Sequence, residues 1–316
     1  MVSKEQQAPE ESFHSISFPQ WQQFTVEKTN AHRICTAPHG WSERLGDNIL
    51  LNYQGPHALG FLDSHWSEWA GSNLPEAKAY RVFSRYLPKQ NTERATPTLL
   101  RGNPMLPAET EVTENGVRYA IDFSAGYAVG LFLDQRANRG LLRAFKPKRL
   151  LNTFAYTCSF SVCAALAGAD TLSIDLSKKS LERGAENFRL NAIPTSGHRF
   201  IADDVLDVIP RLVQRKERFD AIILDPPTFS RGNKGRRFQA ENDLEKLLLL
   251  ALDVAAPEAR ILLSTNCTRV RFSDLESMSR FALKSRRLSG QFLRATPLPD
   301  FPHDAGAQTL WIHLRP

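Results

Sequence analysis

The chain has 316 residues, of which 42% are hydrophobic and 23% charged, so a disordered or fibrous protein is excluded. No apolar run approaches the roughly 20 residues that a membrane-spanning helix needs, and the polar first residues do not resemble a secretory signal. We therefore expect a soluble, cytoplasmic protein. The four cysteines show no CxxC spacing, which fits a reducing compartment.

The net charge of +6 is unevenly distributed along the chain. The first hundred residues hold nine Lys or Arg against ten Asp or Glu, so the basic surplus lies in the remainder. Arg136 to Arg149 carries six basic residues and no acid, and Arg231 to Arg237 carries four basic residues in seven. A basic run is often only a solvated face. Because both runs flank the features described below, we interpret them as indicating a polyanionic partner.

Residues 1–105 are interpreted as an N-terminal module of unknown role that could handle substrate. The module is rich in Trp and contains strand-like pieces such as Asn48 to Tyr53. Prolines between Asn91 and Pro107 indicate a linker at its end.

Residues 106–140 form a second, short segment that begins with a predicted β hairpin over Thr110 to Phe123. Asn115-Gly116 separates two alternating runs there, and this dipeptide readily supplies the positive φ angles of a two-residue type I′ turn.

Residues 141–316 alternate between short apolar runs and segments of helical period. The predicted strands are Arg149 to Ala155, Thr171 to Ile174, Arg199 to Ala202, Phe219 to Leu224, Arg260 to Ser264, Ser289 to Ala295 and Thr309 to Leu314. The predicted helices are Ser159 to Ala167, Lys178 to Asn191, Val205 to Arg215, Glu241 to Ala255 and Asp274 to Lys284. This alternation predicts an α/β fold in which helices cover both faces of a parallel sheet. The last two strands, with no helix between them, predict an antiparallel edge.

Ligands of such a sheet bind beyond the carboxyl ends of its strands. Asp175 ends the second predicted strand, about 20 residues after the first loop, where an acid can hydrogen-bond ribose hydroxyls. Asp204 follows the third strand, where it could either contact the ligand or cap the next helix.

The first loop, from Asn152 to Ser159, contains no glycine, and the GxGxxG fingerprint of dinucleotide binding is absent. This disfavours a cofactor whose pyrophosphate must approach a bare backbone. A cofactor with a ribose and an adenine but no phosphate fits better, and S-adenosylmethionine is the obvious candidate.

The run from Gly130 to Arg269 resembles the Rossmann-like class I methyltransferase domain of the bacterial 23S ribosomal RNA base methyltransferases. Three pieces carry the resemblance: GLFLDQRANR from Gly130, LNTFAYT from Leu151, and DPPTFS from Asp225. The hairpin from Glu114 to Tyr119 resembles the small β element that precedes this domain in the family. The resemblance implies a seven-stranded sheet, S-adenosylmethionine as cofactor and ribosomal RNA as partner. The first hundred residues do not resemble the family's RNA-binding domain.

The resemblance also implies roles for individual positions around the cofactor and the target base. The cofactor would be bordered by Phe132, Asp134, Gln135, Arg136, Asn152, Phe154, Tyr156, Asp175, Asp204 and Asp225. The target base would lie against Pro226, Pro227 and Phe229, with the RNA chain near Arg231, Lys234, Arg236 and Arg237. Cys158-Ser159 replaces the Gly-Gly pair of the family, so side chains there are expected to crowd the methionine part of the cofactor.

Two target atoms are considered. Cytosine C5 is favoured, because Cys267 matches the position of the nucleophile in the cytosine-C5 members of the family, with Asp225 hydrogen-bonding N3. The alternative for this thiol is a buried structural cysteine, as expected for Cys35, Cys158 and Cys163. Guanine N7 is the alternative target, since it needs orientation but no nucleophile. A catalytically inactive RNA-binding relative is the third possibility.

No metal site is predicted, because the histidines show neither HxxxH nor HExxH spacing. Asp203 and Asp204 point to opposite faces of an extended chain, which does not suit a carboxylate dyad.

Overall fold

The computed structural model describes residues 13–74, 80–88, 95–232, 237–302 and 305–315. It divides into two compact units. The first comprises Met1–Gly116, Ile121–Leu133 and Pro299–His303, and the second comprises Val117–Ala120, Asp134–Leu298 and Asp304–Pro316. In the described residues, no helix combines the length and the apolar character that crossing a membrane would require.

The first unit is built on a six-stranded sheet. Its elements are β1 (His14–Ser15), α1 (Phe18–Val26), β2 (Ala31–Ala37), β3 (Gly40–Leu45), β4 (Asn48–Tyr53), α2 (Pro56–Asn73), β5 (Arg81–Tyr86) and β6 (Thr98–Arg101). The strands follow one another in chain order across the sheet. All neighbours are antiparallel except β4 and β5, which α2 connects, as a parallel pair requires a crossover.

Aromatic residues pack with aliphatic ones such as Ile34, Ile49 and Leu62 in the core of this unit, and arginines lie against them. The indoles of Trp21 and Trp69 have ring centroids 4.9 Å apart, and Trp66 lies 6.1 Å from Trp69. The Arg44 guanidinium stacks over Trp21 at 4.2 Å, and the buried Arg81 donates to the Asn48 side chain at 2.8 Å. The tryptophans that mark this module in the sequence therefore serve largely as its core.

The predicted hairpin is present as β7 (Glu109–Glu114) and β8 (Val117–Asp122). Its turn residues Asn115 and Gly116 have φ angles of 50° and 77°, the left-handed pair that a type I′ turn needs.

The second unit alternates strands and helices. Its elements are α3 (Arg136–Phe145), β9 (Arg149–Thr153), α4 (Ser159–Leu166), β10 (Asp170–Asp175), α5 (Lys178–Leu190), β11 (Arg199–Ala202), α6 (Val205–Gln214), β12 (Phe219–Leu224), β13 (Phe229–Arg231), β14 (Arg237–Gln239), α7 (Ala240–Leu252), β15 (Ala255–Thr265), α8 (Phe272–Ser285), β16 (Gly290–Leu293) and β17 (Gln308–Leu314).

Seven of these strands form one sheet in the order β11-β10-β9-β12-β15-β17-β16. The first five are parallel, and β17 is antiparallel to both β15 and β16. The predicted α/β fold with an antiparallel edge is confirmed. The central strands are apolar because helices cover them on both faces, and Ile222, Ile223 and Leu224 are fully buried.

Several predicted boundaries differ from the structure, and the one between α7 and β15 differs most. The helix expected over Glu241 to Ala255 ends at Leu252, and Ala255 already begins β15. The apolar run continues through both elements, so periodicity could not locate the break. In the structure, Asp253 terminates the helix and its carboxylate accepts two hydrogen bonds from Arg286, at 2.7 and 2.8 Å.

The chain order reverses between β9 and β12, since β9 leads to β10 on one side and neighbours β12 on the other. In open α/β sheets, ligands bind at such a switch point, beyond the carboxyl ends of the strands.

Candidate active site

The loop after β9 has an unusual backbone. Phe154, Tyr156 and Cys158 all have positive φ angles, of 52°, 49° and 59°. Residues other than glycine rarely adopt this conformation. Such conformations persist only where neighbouring contacts impose them. Here the Ala155 N–H donates to a carbonyl of β10 at 2.9 Å, and the Asp175 carboxylate accepts the Tyr156 N–H at 2.8 Å. The loop is therefore held in one shape from the neighbouring strand.

Asp175 ends β10, as predicted, and binds backbone on both sides. One carboxylate oxygen accepts from Tyr156 and the other accepts the Ser177 N–H at 2.8 Å. Burial raises the pKa of Asp175, and these two N–H donors act in the opposite direction. A carboxylate has about four acceptor sites, so two N–H bonds leave capacity for hydroxyls of a ligand.

The Cys158 side chain is fully buried and lies against α5. A Cβ placed on Gly184 of that helix would come within 2.5 Å of Cys158 Sγ. Gly184 therefore supplies the space that the thiol occupies. The thiol thus fills this gap in the helix packing. That side chains at positions 158 and 159 crowd the methionine part of the cofactor stays a prediction. Ser159 accepts from the Arg139 guanidinium at 3.4 Å.

Asp204 is the N-cap of α6. Its carboxylate accepts the Leu206 N–H at 2.9 Å, and its side chain is buried. The capping role weighed in the sequence is thus present. The Asp203 carboxylate forms an ion pair with Arg211, so the two adjacent acids do not form a carboxylate dyad.

Asp225 lies just beyond β12, next to the side chains of Gln135 and Ser264. Gln135 Nε2 lies 3.4 Å from its Oδ2 and donates to Ser264 Oγ at 2.9 Å. Burial raises the pKa of Asp225 to about 6. The Ser264 hydrogen bond and the charge of Arg139 favour the carboxylate, whereas the charge of Asp134 opposes it. A carboxyl with a pKa near 6 exchanges protons close to neutral pH, as groups in active sites commonly do.

Asp134 is anchored to the segment before β17. Its carboxylate accepts the Ala307 N–H at 3.0 Å. Gly306 has a φ angle of 106°, and a Cβ there would lie 2.9 Å from the Asp134 Cβ. Only glycine therefore allows this close approach.

The basic stretch Arg231 to Arg237 is flanked by an unexpected pair of strands. β13 and β14 are antiparallel, and their register places Arg231 directly opposite Arg237, with both side chains exposed. Phe238 is buried and its ring lies 5.6 Å from Phe154, which attaches the hairpin to the loop after β9. Lys234 and Arg236 lie outside the described residues.

The Asp225-Pro226-Pro227 run connects β12 to this hairpin. Pro226 is buried, Pro227 is exposed, and Phe229 is 41% exposed. An exposed aromatic ring beside an exposed proline can stack with a planar ligand.

Three other residues that were predicted to contact the cofactor differ in their exposure and in their contacts. Asn152 is buried in β9 and donates to Ser161 Oγ at 2.9 Å, so its side chain braces α4. Arg136 is 4% exposed at the start of α3, and Phe132, in the first unit, is 46% exposed.

Cys267 follows β15 and is 3% exposed. It belongs to the apolar cluster that packs α7 and α8 on the sheet, and its N–H donates to Thr265 Oγ1 at 3.1 Å. Cys35, Cys158 and Cys163 are also buried, and none of them forms a disulfide.

The structure adds residues that the sequence reasoning did not select: Ser264, Asn138, Arg139, Gly184 and Trp311. Arg139 and Asn138 fall within the quoted GLFLDQRANR segment, where polar residues on the buried face of a helix were a usable signal. Nothing in the sequence relates Trp311 or Gly184 to this site, because their contacts are long-range.

A Rossmann-like sheet with acids beyond neighbouring strands is typical of enzymes that bind a cofactor with a ribose. Residues 68–309 match the family model described as S-adenosylmethionine-dependent methyltransferase. The chain belongs to that family, whose cofactor is S-adenosylmethionine.

Individual relatives agree with this membership. The chain is 41% identical over 158 residues to the protein YwbD of Bacillus subtilis, a match covering 49% of this chain and 40% of that one. It is 34% identical over 201 residues to the ribosomal RNA large subunit methyltransferase I of Tolumonas auensis, covering 62% and 50%. The chain thus spans half or less of the length of these curated relatives.

Among solved structures, SMU.776 in complex with S-adenosylhomocysteine (SAH) superposes with a TM-score of 0.77. It is 22% identical, and the match covers 95% of this chain and 82% of that one. The two proteins share the fold.

Proposed function

We propose that this protein transfers a methyl group from S-adenosylmethionine to a base of large-subunit ribosomal RNA. The observation that carries the proposal is the carboxyl of Asp225, which lies at the switch point of the sheet beside Gln135 and Ser264. It lies in the DPP run, beside an exposed aromatic residue and a basic hairpin. The names of the curated relatives supply the substrate class.

The second unit fits the cofactor. Asp175 keeps acceptor capacity for ribose hydroxyls, and the loop after β9 is fixed by backbone bonds rather than by glycines. Asp204 is assigned to the adenine, and Asp134, Gln135 and Arg136 to the methionine end. The role that the resemblance implies for Phe132, which belongs to the first unit, stays a prediction. When bound, S-adenosylmethionine supplies an electrophilic methyl group on its sulfonium. The task of this chain is then to orient the base and exclude water.

The β13–β14 hairpin is proposed to contact the RNA chain. Like charges directly opposite each other destabilise a strand pair, and Arg231 opposite Arg237 is such a pair. A phosphate between the two guanidinium groups would offset this repulsion. Phe229, Pro226 and Pro227 are proposed to form the wall against which a flipped base lies.

Cytosine C5 is one candidate target. That carbon is not nucleophilic until a thiolate, here proposed to be that of Cys267, bonds to C6. Asp225 in its protonated form then donates to N3, and the methyl group leaves the sulfonium to bond to C5, which leaves S-adenosylhomocysteine. The C5 proton passes to solvent, the C6–S bond breaks, and the thiolate of Cys267 is released.

Guanine N7 is the second candidate, and the placement of Cys267 favours it. A thiol that is 3% exposed within an apolar cluster must move before it can reach a base. N7 already carries a lone pair, so methylation there needs only orientation, which the Asp225 carboxylate can supply through the guanine N–H groups.

The experiment uses RNA from a strain that lacks the gene, cofactor with a labelled methyl group, and mass spectrometry of the nucleosides. Labelled 5-methylcytosine, lost in Cys267→Ser but not in Cys163→Ser, together with a covalent adduct on RNA containing 5-fluorocytosine, supports the cytosine mechanism. Labelled 7-methylguanine with full activity of Cys267→Ser supports the alternative. Absence of cofactor binding in calorimetry at millimolar concentration would indicate an inactive RNA-binding relative instead.

A further inference from the structure

A chain of side-chain hydrogen bonds connects the last strand of the sheet to Asp225. Trp311 Nε1, on β17, donates to Asn138 Oδ1 at 2.8 Å, and Asn138 Nδ2 donates to Gln135 Oε1 at 2.8 Å. Gln135 Nε2 then donates to Ser264 Oγ at 2.9 Å and lies 3.4 Å from Asp225 Oδ2. Trp311, Asn138 and Gln135 are each at most 2% exposed, so water does not compete for these bonds.

This series of hydrogen bonds has one direction from donor to acceptor, and the Trp311 indole determines that direction. An amide side chain can present either its oxygen or its NH₂ group to a neighbour, but the indole N–H can only donate. Trp311 therefore requires the oxygen of Asn138, which turns the Asn138 NH₂ group toward Gln135. Gln135 in turn presents its oxygen to Asn138 and its NH₂ group to Ser264 and Asp225. Without the indole, both amides could rotate by half a turn at little cost.

We propose that Trp311 is a positioning residue for the methyltransferase site, because its N–H fixes both amides so that a donor always faces Asp225. The inference rests on the proposed function, in which Asp225 orients the target base. With the donor in place, Ser264 accepts from Gln135 and directs its own hydrogen toward the carboxylate. The arrangement opposes burial and the Asp134 charge, both of which raise the pKa of Asp225, and acts in the same direction as Arg139.

Trp311 also packs in the core, so its two roles must be separated. Its ring meets Phe145 edge-on at a centroid distance of 5.2 Å. Trp311→Phe removes the N–H and keeps an aromatic ring. Asn138→Ala interrupts the same chain one step later. Phe145→Leu is the matched control, because it disturbs the packing of Trp311 and leaves every hydrogen bond of the chain in place.

The test is a ¹³C NMR titration of the aspartate carboxyls, assigned with Asp225→Asn, beside kcat and KM across pH. Loss of the oriented donor is expected to raise the pKa of Asp225 by about half a unit to one unit in Trp311→Phe and in Asn138→Ala. The midpoint of the pH dependence of kcat should move with it. Where the carboxylate is the active form, as in the guanine N7 reaction, the ionised fraction at pH 7 falls by about 1.2- to 1.8-fold, so kcat should fall by up to about twofold with KM little changed. The double variant should match the single ones, since both act through one chain.

An unchanged pKa in both folded variants, or an equal shift in Phe145→Leu, would overturn the inference. The titration needs no RNA, so it tests Trp311 even if no RNA base accepts the methyl group. That second result would contradict the proposed function alone.

Discussion

Asp175→Ala should weaken binding of S-adenosylmethionine by about 10- to 150-fold in Kd. The carboxylate is proposed to hold ribose hydroxyls, and a hydrogen bond to a charged group contributes about 1.5–3 kcal/mol, where 1.4 kcal/mol is a factor of ten. The change also removes the acceptor of the Tyr156 N–H, which releases the strained loop after β9. Isothermal titration calorimetry of the cofactor against the full chain measures the effect.

Ser177→Ala is the matched control. Ser177 caps α5 by accepting the Ser180 N–H at 3.1 Å, so its loss lowers the melting temperature without removing a proposed cofactor contact. Its Kd should stay within about twofold of the original, because a neutral cap affects helix stability by about 1 kcal/mol. Unchanged affinity in a folded Asp175→Ala variant would refute the ribose assignment.

The pH dependence of cofactor binding tests the same residue. Burial raises the pKa of Asp175, and the ionised form is the stronger acceptor for hydroxyl groups. Affinity should therefore fall as the pH is lowered through that raised pKa. This dependence should be absent in Asp175→Asn, and a dependence that persists there would assign it to another group.

Three further predictions concern stability and RNA binding. Because burial raises the pKa of Asp225 to about 6, its ionisation destabilises the folded state as pH rises. Asp225→Asn should therefore raise the free energy of unfolding by about 3 kcal/mol at pH 8 and have little effect near pH 4; equal effects at both pH values in urea titrations would contradict this. Gly184→Ala places a Cβ 2.5 Å from Cys158 Sγ and should lower the free energy of unfolding by about 1–3 kcal/mol. Adding Cys158→Gly to this variant should restore part of that stability. Additive losses in thermal unfolding would show that the two positions are independent. Replacing Arg231 and Arg237 together by Gln should reduce the slope of the log binding constant for single-stranded RNA against log salt by about one to one and a half units. An unchanged slope would show that the two arginines do not contact phosphate.

Much of the second unit could be predicted from its sequence. Arg199–Ala202 and Phe219–Leu224 were predicted with the bounds that the structure shows, because each is a short apolar run between turn signals. The end of α7 could not be predicted, because an ion pair between Asp253 and a residue 33 positions later fixes it. The Asn115-Gly116 turn was predictable because its chemistry is local.

In the candidate site, too, features with a local signal could be predicted and features that depend on long-range contacts could not. Asp175 and Asp225 could be selected because both immediately follow predicted strands. The hairpin around the basic stretch was missed, since β13 and β14 have three residues each and depend on the contact of Phe238 with Phe154. The location of the Cys158 thiol could not be predicted for a similar reason, because only the packing of α5 shows that Gly184 makes room for it.

The central claim is that the carboxyl of Asp225 orients an RNA base for methyl transfer in this unit. The most direct test is single-turnover transfer of a labelled methyl group from S-adenosylmethionine to unmodified large-subunit RNA, by the original chain and by Asp225→Ala. We expect one labelled base in the original and a loss of about a hundredfold or more in rate for the variant, as for removal of a group that acts in the transition state. Equal rates in the two proteins, or label found only on ribose, would contradict it.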